Sequence, residues 1–436
     1  MQRIELAVKT LVENGYKSIF FSEGFMGNKA GEKEERNIKM IEITNIRQGA
    51  ILNHNHGKES DEALTILLEG FGSGRPVKVN GEAAEMVGRR FTKEIALTEK
   101  INNITVSEMT PYGLYSQEIT VVWDKKSFKR FNFYIDDHSF LFTDLTKERP
   151  KSAFDHFYLK GLKEIRKKYP FKVTLNCFFY NDHDKSFTLD QMPDTWKQEF
   201  IDNSDWLKFS FHARSEFPDR LYLESSPEEF GKDWDMVQNE IVRFAGEESY
   251  IPPVVIHWGN IHPTVAQECV KRGVRCYPAF MRPCVMGGPS LADRMKGGDM
   301  NKVQSRSITG ADRSIGTEGF ALYYKNQEQE SYMNRYRNYY DPLMGIVITG
   351  PGAVCSNLVP LDKTEERVKR AIAVNEKSGC EFMNMASHEQ YTYSYYPNYL
   401  PDHMQRIELA VKTAVEAGYT GTFFPEGFMG NMSWGE

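Results

Sequence analysis

Several features are missing from this 436-residue chain, and each absence narrows the field. No apolar run approaches 18 residues, so a membrane span is excluded. There is no long basic run, and 54 basic against 60 acidic residues leave a net charge of −6. Binding dominated by nucleic-acid phosphates is therefore not expected. The six cysteines (177, 269, 276, 284, 355 and 380) form no Cys-x-x-Cys pair and are too sparse for a disulfide scaffold. They read as buried thiols. The first residues, MQRIELAVKT, lack the basic-then-apolar layout of a signal peptide. What is abundant is aromatic: 22 Tyr, 28 Phe and 6 Trp. With 40% hydrophobic residues, the chain has ample material for a large core. Tyr-rich loops also suit sugar faces and hydroxyls.

A long-range repeat frames the chain. Residues 1–28 and 404–431 are identical at 22 of 28 positions, with an offset of 403. Tandem duplication of a unit of about 400 residues is the reading this suggests, and Met1 is then expected to be an internal methionine. Ile407, Val411 and Val415 share a helical face, Gly418 ends it, and Thr422-Phe423-Phe424 reads as a buried strand. Residues 404–431 are expected to supply the last helix–strand step beside the first strand of the second domain. Residues 1–28 are then an orphan duplicate of that step, and 29–37 a linker.

From 38 to 125, short β-branched runs alternate with turn signals such as Asn80-Gly81. An all-β immunoglobulin-like sandwich is expected, with His54 and His56 in a solvated loop. From 126 to 436, apolar strands alternate with amphipathic helices. The strands are expected at 131–136, 171–180, 206–211, 252–258, 274–280, 345–350 and 381–387. This pattern predicts a (β/α)7–8 barrel.

Barrel active sites lie at the C-terminal ends of the strands. Reading the polar residue that ends each strand gives Asp136, Asp137 and His138, then Asn181 and Asp182, then His212 and Glu216. Later strands add His257 and Trp258, Arg282, and His388 with Glu389 and Tyr391. Carboxylates and imidazoles gathered at one rim suit metal-assisted hydrolysis, with a second carboxylate taking a proton from water.

FYIDDHS (133–139) resembles the Asp-Asp first motif of NodB-homology polysaccharide deacetylases. FHARSEFP (211–218) resembles their second motif, with Glu216 where the second histidine stands. Arg282-Pro283 and Ser387-His388-Glu389 are similar to the later motifs, in the same order. The His388-Glu389-Gln390-Tyr391 segment also looks like that of bacterial glycoside hydrolase/deacetylase-type barrels. The resemblance implies a deformed barrel, a divalent metal (Zn²⁺ first), and hydrolysis of N- or O-acyl groups on a polysaccharide or oligosaccharide. It implies a secreted or cell-surface bacterial setting. It makes Asp136 the base, His388 the acid, Arg282 a further catalytic group, and Asp137 and His212 metal ligands. Glu216 and His257 compete for the third ligand. Trp258, Glu389 and Tyr391 are expected to contact substrate. Two alternatives stand beside it. One is a glycoside hydrolase pairing Asp136 or Asp137 with Glu389 or Glu216, at about 5–5.5 Å for retention or about 6.5–9.5 Å for inversion. The other is a glycan-binding barrel without catalysis.

Overall fold

The computed structural model describes residues 41–278, 320–321 and 332–434, apart from short breaks at 219–220, 224, 254, 258–259, 262, 334, 343, 351 and 428–431. The first copy of the repeat and the linker lie outside the described residues, as do Trp258 and Arg282.

Residues 41–123 form two five-stranded sheets over one core that includes Leu64, Leu68, Phe91, Ile104, Val121 and Trp123. In the first, β1 (Leu64–Phe71) pairs antiparallel with β2 (Arg90–Leu97). In the second, β3 (Ile101–Thr110) pairs antiparallel with β4 (Gly113–Trp123), and β4 pairs parallel with Ile51–Leu52. Inward positions are buried and their neighbours exposed, as in β1. The loop holding His54 and His56 is not merely solvated. Asn53 and Asn55 donate from their side-chain amides to the Gly379 carbonyl, at 3.0 and 3.3 Å. Gly379 sits at a helix C-terminus with φ +71°, and a β-carbon there would collide with the His56 ring.

The next element, β5 (Arg130–His138), is buried along its whole length. It is the centre of a parallel sheet with β6 (Val173–Phe178), β7 (Leu207–Ala213), β8 (Phe382–His388) and β9 (Thr420–Thr422). The order is β7-β6-β5-β8, followed by Val354–Cys355, while β9 pairs with the first three residues of β5. Fully buried apolar strands of this kind need cover on both faces. Seven helices accompany them among the described residues: α1 (Phe140–Glu148), α2 (Phe157–Lys168), α3 (Lys197–Asp202), α4 (Pro227–Ala245), α5 (Pro263–Lys271), α6 (Leu361–Ser378) and α7 (His403–Glu416). In α4 the Ser226–Glu229 capping box and Pro227 set the start. Phe230, Trp234, Val237, Ile241 and Phe244 then make one buried stripe, with Trp234 stacked on Phe211 of β7.

The expected architecture, an immunoglobulin-like all-β sandwich followed by a closed barrel, is corrected. One sheet of the first region is mixed, because Ile51–Leu52 runs parallel to β4. Among the described residues, the later strands lie in separate sheets rather than a closed ring. Cys276–Pro278, Ile346–Thr349 and Asn338–Asp341 form their own three-stranded sheet. A strand was expected at 252–258, but the described residues there, 252–253 and 255–257, are not in one. The chain bridges to Phe209 at Tyr250 and then meets Pro252-Pro253, whose nitrogens carry no hydrogen for a ladder. Within residues 404–431, Thr420–Thr422 pair in parallel with Arg130–Asn132, as β9 against β5.

At the start of α7, His403 is buried between two hydroxyls: Nε2 is 2.6 Å from Ser387 Oγ and Nδ1 is 2.7 Å from Thr392 Oγ1. Burial, with the neighbouring His388 and Arg406, pushes its pKa down to about 3. A histidine depressed from 6.5 contributes stability that is complete above pH 6.5 and is lost as pH falls toward 3. Between pH 7 and pH 5, denaturant unfolding of the wild type should lose up to about 2 kcal/mol more than that of His403→Gln. An equal loss in both would remove His403 as an acid-sensitive element.

Candidate metal and catalytic site

The site is built on two irregularities in the parallel sheet. Between Ile135 and His138 the register of β5 against β6 slips, so that Asp136-Asp137 forms a bulge. Asp137 has φ +69°, a left-handed conformation that aspartate tolerates better than most residues. Successive strand residues normally face opposite sides. The bulge lets both carboxylates approach His212: Asp136 Oδ1 is 3.9 Å from Nδ1, and Asp137 Oδ1 is 3.2 Å from Nε2. A second slip, between Cys177 and Phe178 against β7, falls at His212 itself.

His257 completes the cluster. It follows the Pro252-Pro253 pair, which has no backbone N–H to give to a ladder. Its Nδ1 lies 3.4 Å from Asp137 Oδ1 and 3.1 Å from His212 Nε2. The outer nitrogens of both rings are committed. His212 Nδ1–H donates to the Val255 carbonyl at 3.0 Å, and His257 Nε2–H donates to the Glu216 carbonyl at 3.1 Å. In the neutral rings this leaves His212 Nε2 and His257 Nδ1 as lone pairs aimed at one point. Burial lowers the His212 pKa and so favours its neutral ring. Asp137 Oδ1, the third atom at that point, is buried and makes no hydrogen bond of good geometry.

Converging lone pairs repel unless a cation stands between them. Zinc bonds of about 2.0–2.2 Å set tetrahedral ligand atoms roughly 3.3–3.5 Å apart. The observed 3.1, 3.2 and 3.4 Å fit that spacing. Asp137, His212 and His257 therefore suit a divalent metal, and the outer hydrogen bonds fix the ring orientation as such sites require.

Around this point, Asp136 accepts from the Asn176 amide at 2.7 Å. Burial and the Asp137 charge push the Asp136 pKa well up. Burial also acts to raise Asp137, but when a proton rather than a cation lies between it and the two imidazoles, their hydrogen bonds outweigh burial and hold that carboxyl well below the usual range. His388 is half-buried: Nδ1 faces Asn357 Oδ1 at 3.0 Å, and Nε2 faces Asp137 Oδ2 at 4.0 Å. The half-buried Tyr391 lies beside it, ring centroids 6.4 Å apart.

Three expected residues behave otherwise. The Glu216 carboxylate turns away from the cluster to His183 Nε2 at 2.7 Å, and only its backbone carbonyl serves His257. Of the two residues expected to compete as third ligand, the His257 ring lies beside Asp137 and His212 and the Glu216 carboxylate does not. His138, inside the Asp-Asp motif, points to Tyr158 at 2.9 Å on the other side. Glu389 was expected at substrate but is buried at the start of α1. It accepts from the backbone amides of Ser139, Phe140 and Leu141 at 2.8, 3.0 and 2.6 Å, and from the Tyr393 hydroxyl at 3.1 Å. A carboxylate at a helix N-terminus satisfies donors that no intrahelical carbonyl can reach. Sequence reading passed over His183, one residue beyond the Asn181-Asp182 strand end, which was its signal. His183, Phe140, Asn181, Tyr395 and Tyr396 line a cavity of about 480 Å³.

No family model and no curated protein matches the chain. Among solved structures, it is similar to 4-alpha-glucanotransferase from Thermococcus litoralis, with a TM-score of 0.38 and 13% identity. The match covers 69% of this chain and 40% of that one. So weak a likeness carries no argument about fold or chemistry. The expected membership of the polysaccharide deacetylase family is corrected, since no family model matches the chain. Its carriers were motifs of two or three residues, and the second is broken at Glu216, whose carboxylate serves His183 instead.

Glu389→Ala should leave three buried amides unpaired and destabilise the fold by roughly 3 kcal/mol in denaturant unfolding. A change within experimental error would show that this clamp between β8 and α1 is dispensable.

Proposed function

We propose that the protein is a metal-dependent, carbohydrate-acting hydrolase. The observation that carries this reading is the meeting of three buried ligand atoms, one each from Asp137, His212 and His257, with no proton between them in the neutral rings. A divalent ion held there supplies Lewis acidity and lowers the pKa of water. The chain's own residues do the rest. Asn176 donates to Asp136 and holds it at the cluster, where the positive charge of a bound cation would offset the burial and the Asp137 charge that favour its protonated form, leaving a carboxylate able to accept a proton from water. Asn357 holds the His388 ring through Nδ1, so that Nε2 faces the site and carries a proton to the leaving group. Tyr395 and Tyr396, which line the cavity over the buried Phe140, offer aromatic faces with hydroxyls at their tips, which suit a sugar ring. The finer assignment is an N- or O-acyl bond on that sugar, in a secreted or cell-surface setting.

A second reading is glycosidic bond cleavage. It is favoured by the opposed environments of the two carboxyls, with Asp136 pushed toward its protonated form and Asp137 held ionised.

Asp136→Asn should retain bound Zn²⁺ while turnover falls about 10²–10⁴-fold. Chelation should abolish wild-type activity on acylated oligosaccharides, and Zn²⁺ should restore it, with free acid as product. Activity that survives chelation and yields new reducing ends would replace the metal reading with the glycosidic one.

A further inference from the structure

A second cluster stands on α1, apart from the Asp137 site. Asp144 and Glu148 are four residues apart and so share a helical face, near the C-terminus of α1. Two like charges at this spacing repel, and the negative end of the helix dipole disfavours both. His156, at the start of α2, faces them. Its imidazole is 3% exposed, and neither ring nitrogen makes a hydrogen bond. Nε2 lies 3.5 Å from Asp144 Oδ2, too long for a good hydrogen bond. One ligand atom from each of the three residues lies within 4.8 Å of the others. Asp144 is itself oriented, since the Tyr395 hydroxyl lies 3.2 Å from both its oxygens. Phe157 and Tyr393 pack against the imidazole, with ring centroids 4.7 and 6.2 Å away.

A buried imidazole with both nitrogens unpaired is costly, and so is a carboxylate pair at a helix C-terminus. One cation among them relieves both. We propose that Asp144, Glu148 and His156 form a second divalent metal site, structural in role. The donor set, two carboxylate oxygens and one imidazole nitrogen, selects a transition-metal ion such as Zn²⁺ over Mg²⁺ or Ca²⁺, which favour all-oxygen cages. Bound there, the ion ties α1 to the start of α2 and, through Tyr395, fixes the wall of the 480 Å³ cavity that Asp144 helps to line.

The test is Zn²⁺ equilibrium dialysis of the full chain, with metal analysis. It compares wild type, Asp144→Asn/Glu148→Gln, His156→Gln and His257→Asn, each checked for folding by circular dichroism. The carboxamide variant keeps side-chain size on a partly exposed helix face, so its fold should survive. It and His156→Gln should each bind one equivalent fewer than wild type. His257→Asn should lose a different equivalent and keep this one. If wild type binds a single equivalent that Asp144→Asn/Glu148→Gln loses and His257→Asn keeps, this site stands and the Asp137 site falls. If the carboxamide variant matches wild type in stoichiometry, or wild type binds no Zn²⁺, the second site is overturned.

Discussion

The bulge at Asp136-Asp137 is the constraint on which the site depends. A regular β5 would send one carboxylate to each face of the parallel sheet. The left-handed turn at Asp137 brings both toward His212 instead. Such a conformation persists only where the surroundings hold it. Here β8 pairs with β5 as far as Asp136, and β6 resumes its pairing at His138. Immediately beyond, Glu389 grips the first amides of α1. The strand end is thus held on both sides and from above.

The same logic explains how His257 reaches the cluster without belonging to a strand. Pro252-Pro253 deny the segment a ladder, yet Val255 and Ile256 are buried and keep it close to β7. The Val255 carbonyl that this frees from sheet pairing orients His212, and the Glu216 carbonyl orients His257. Backbone geometry therefore sets both imidazole tautomers.

Much of this was legible in the sequence, and the failures have physical causes. Buried runs such as FKVTLNCF and EFMNMAS read correctly as parallel strands because they are apolar on both faces. Asp137 and His212, which the structure brings beside one another, were read from the ends of such strands, whereas His257 was read from the end of a segment that is not one. Barrel closure was misread because periodicity reports burial and not hydrogen bonding, so the buried residues around Val255 and Ile256 looked like a strand. Glu389 was misassigned because a carboxylate that caps a distant helix has no local signature: its partners are about 250 residues away. Asp144 and His156 went unread because no strand ends at either.

The central claim is that three unprotonated ligand atoms meet at one point. Anomalous diffraction at the zinc edge, from crystals of the full chain soaked in Zn²⁺, tests it most directly. The account predicts a peak bonded to Asp137 Oδ1, His212 Nε2 and His257 Nδ1 at about 2.0–2.2 Å. Ordered density for all three side chains with no peak among them would contradict it.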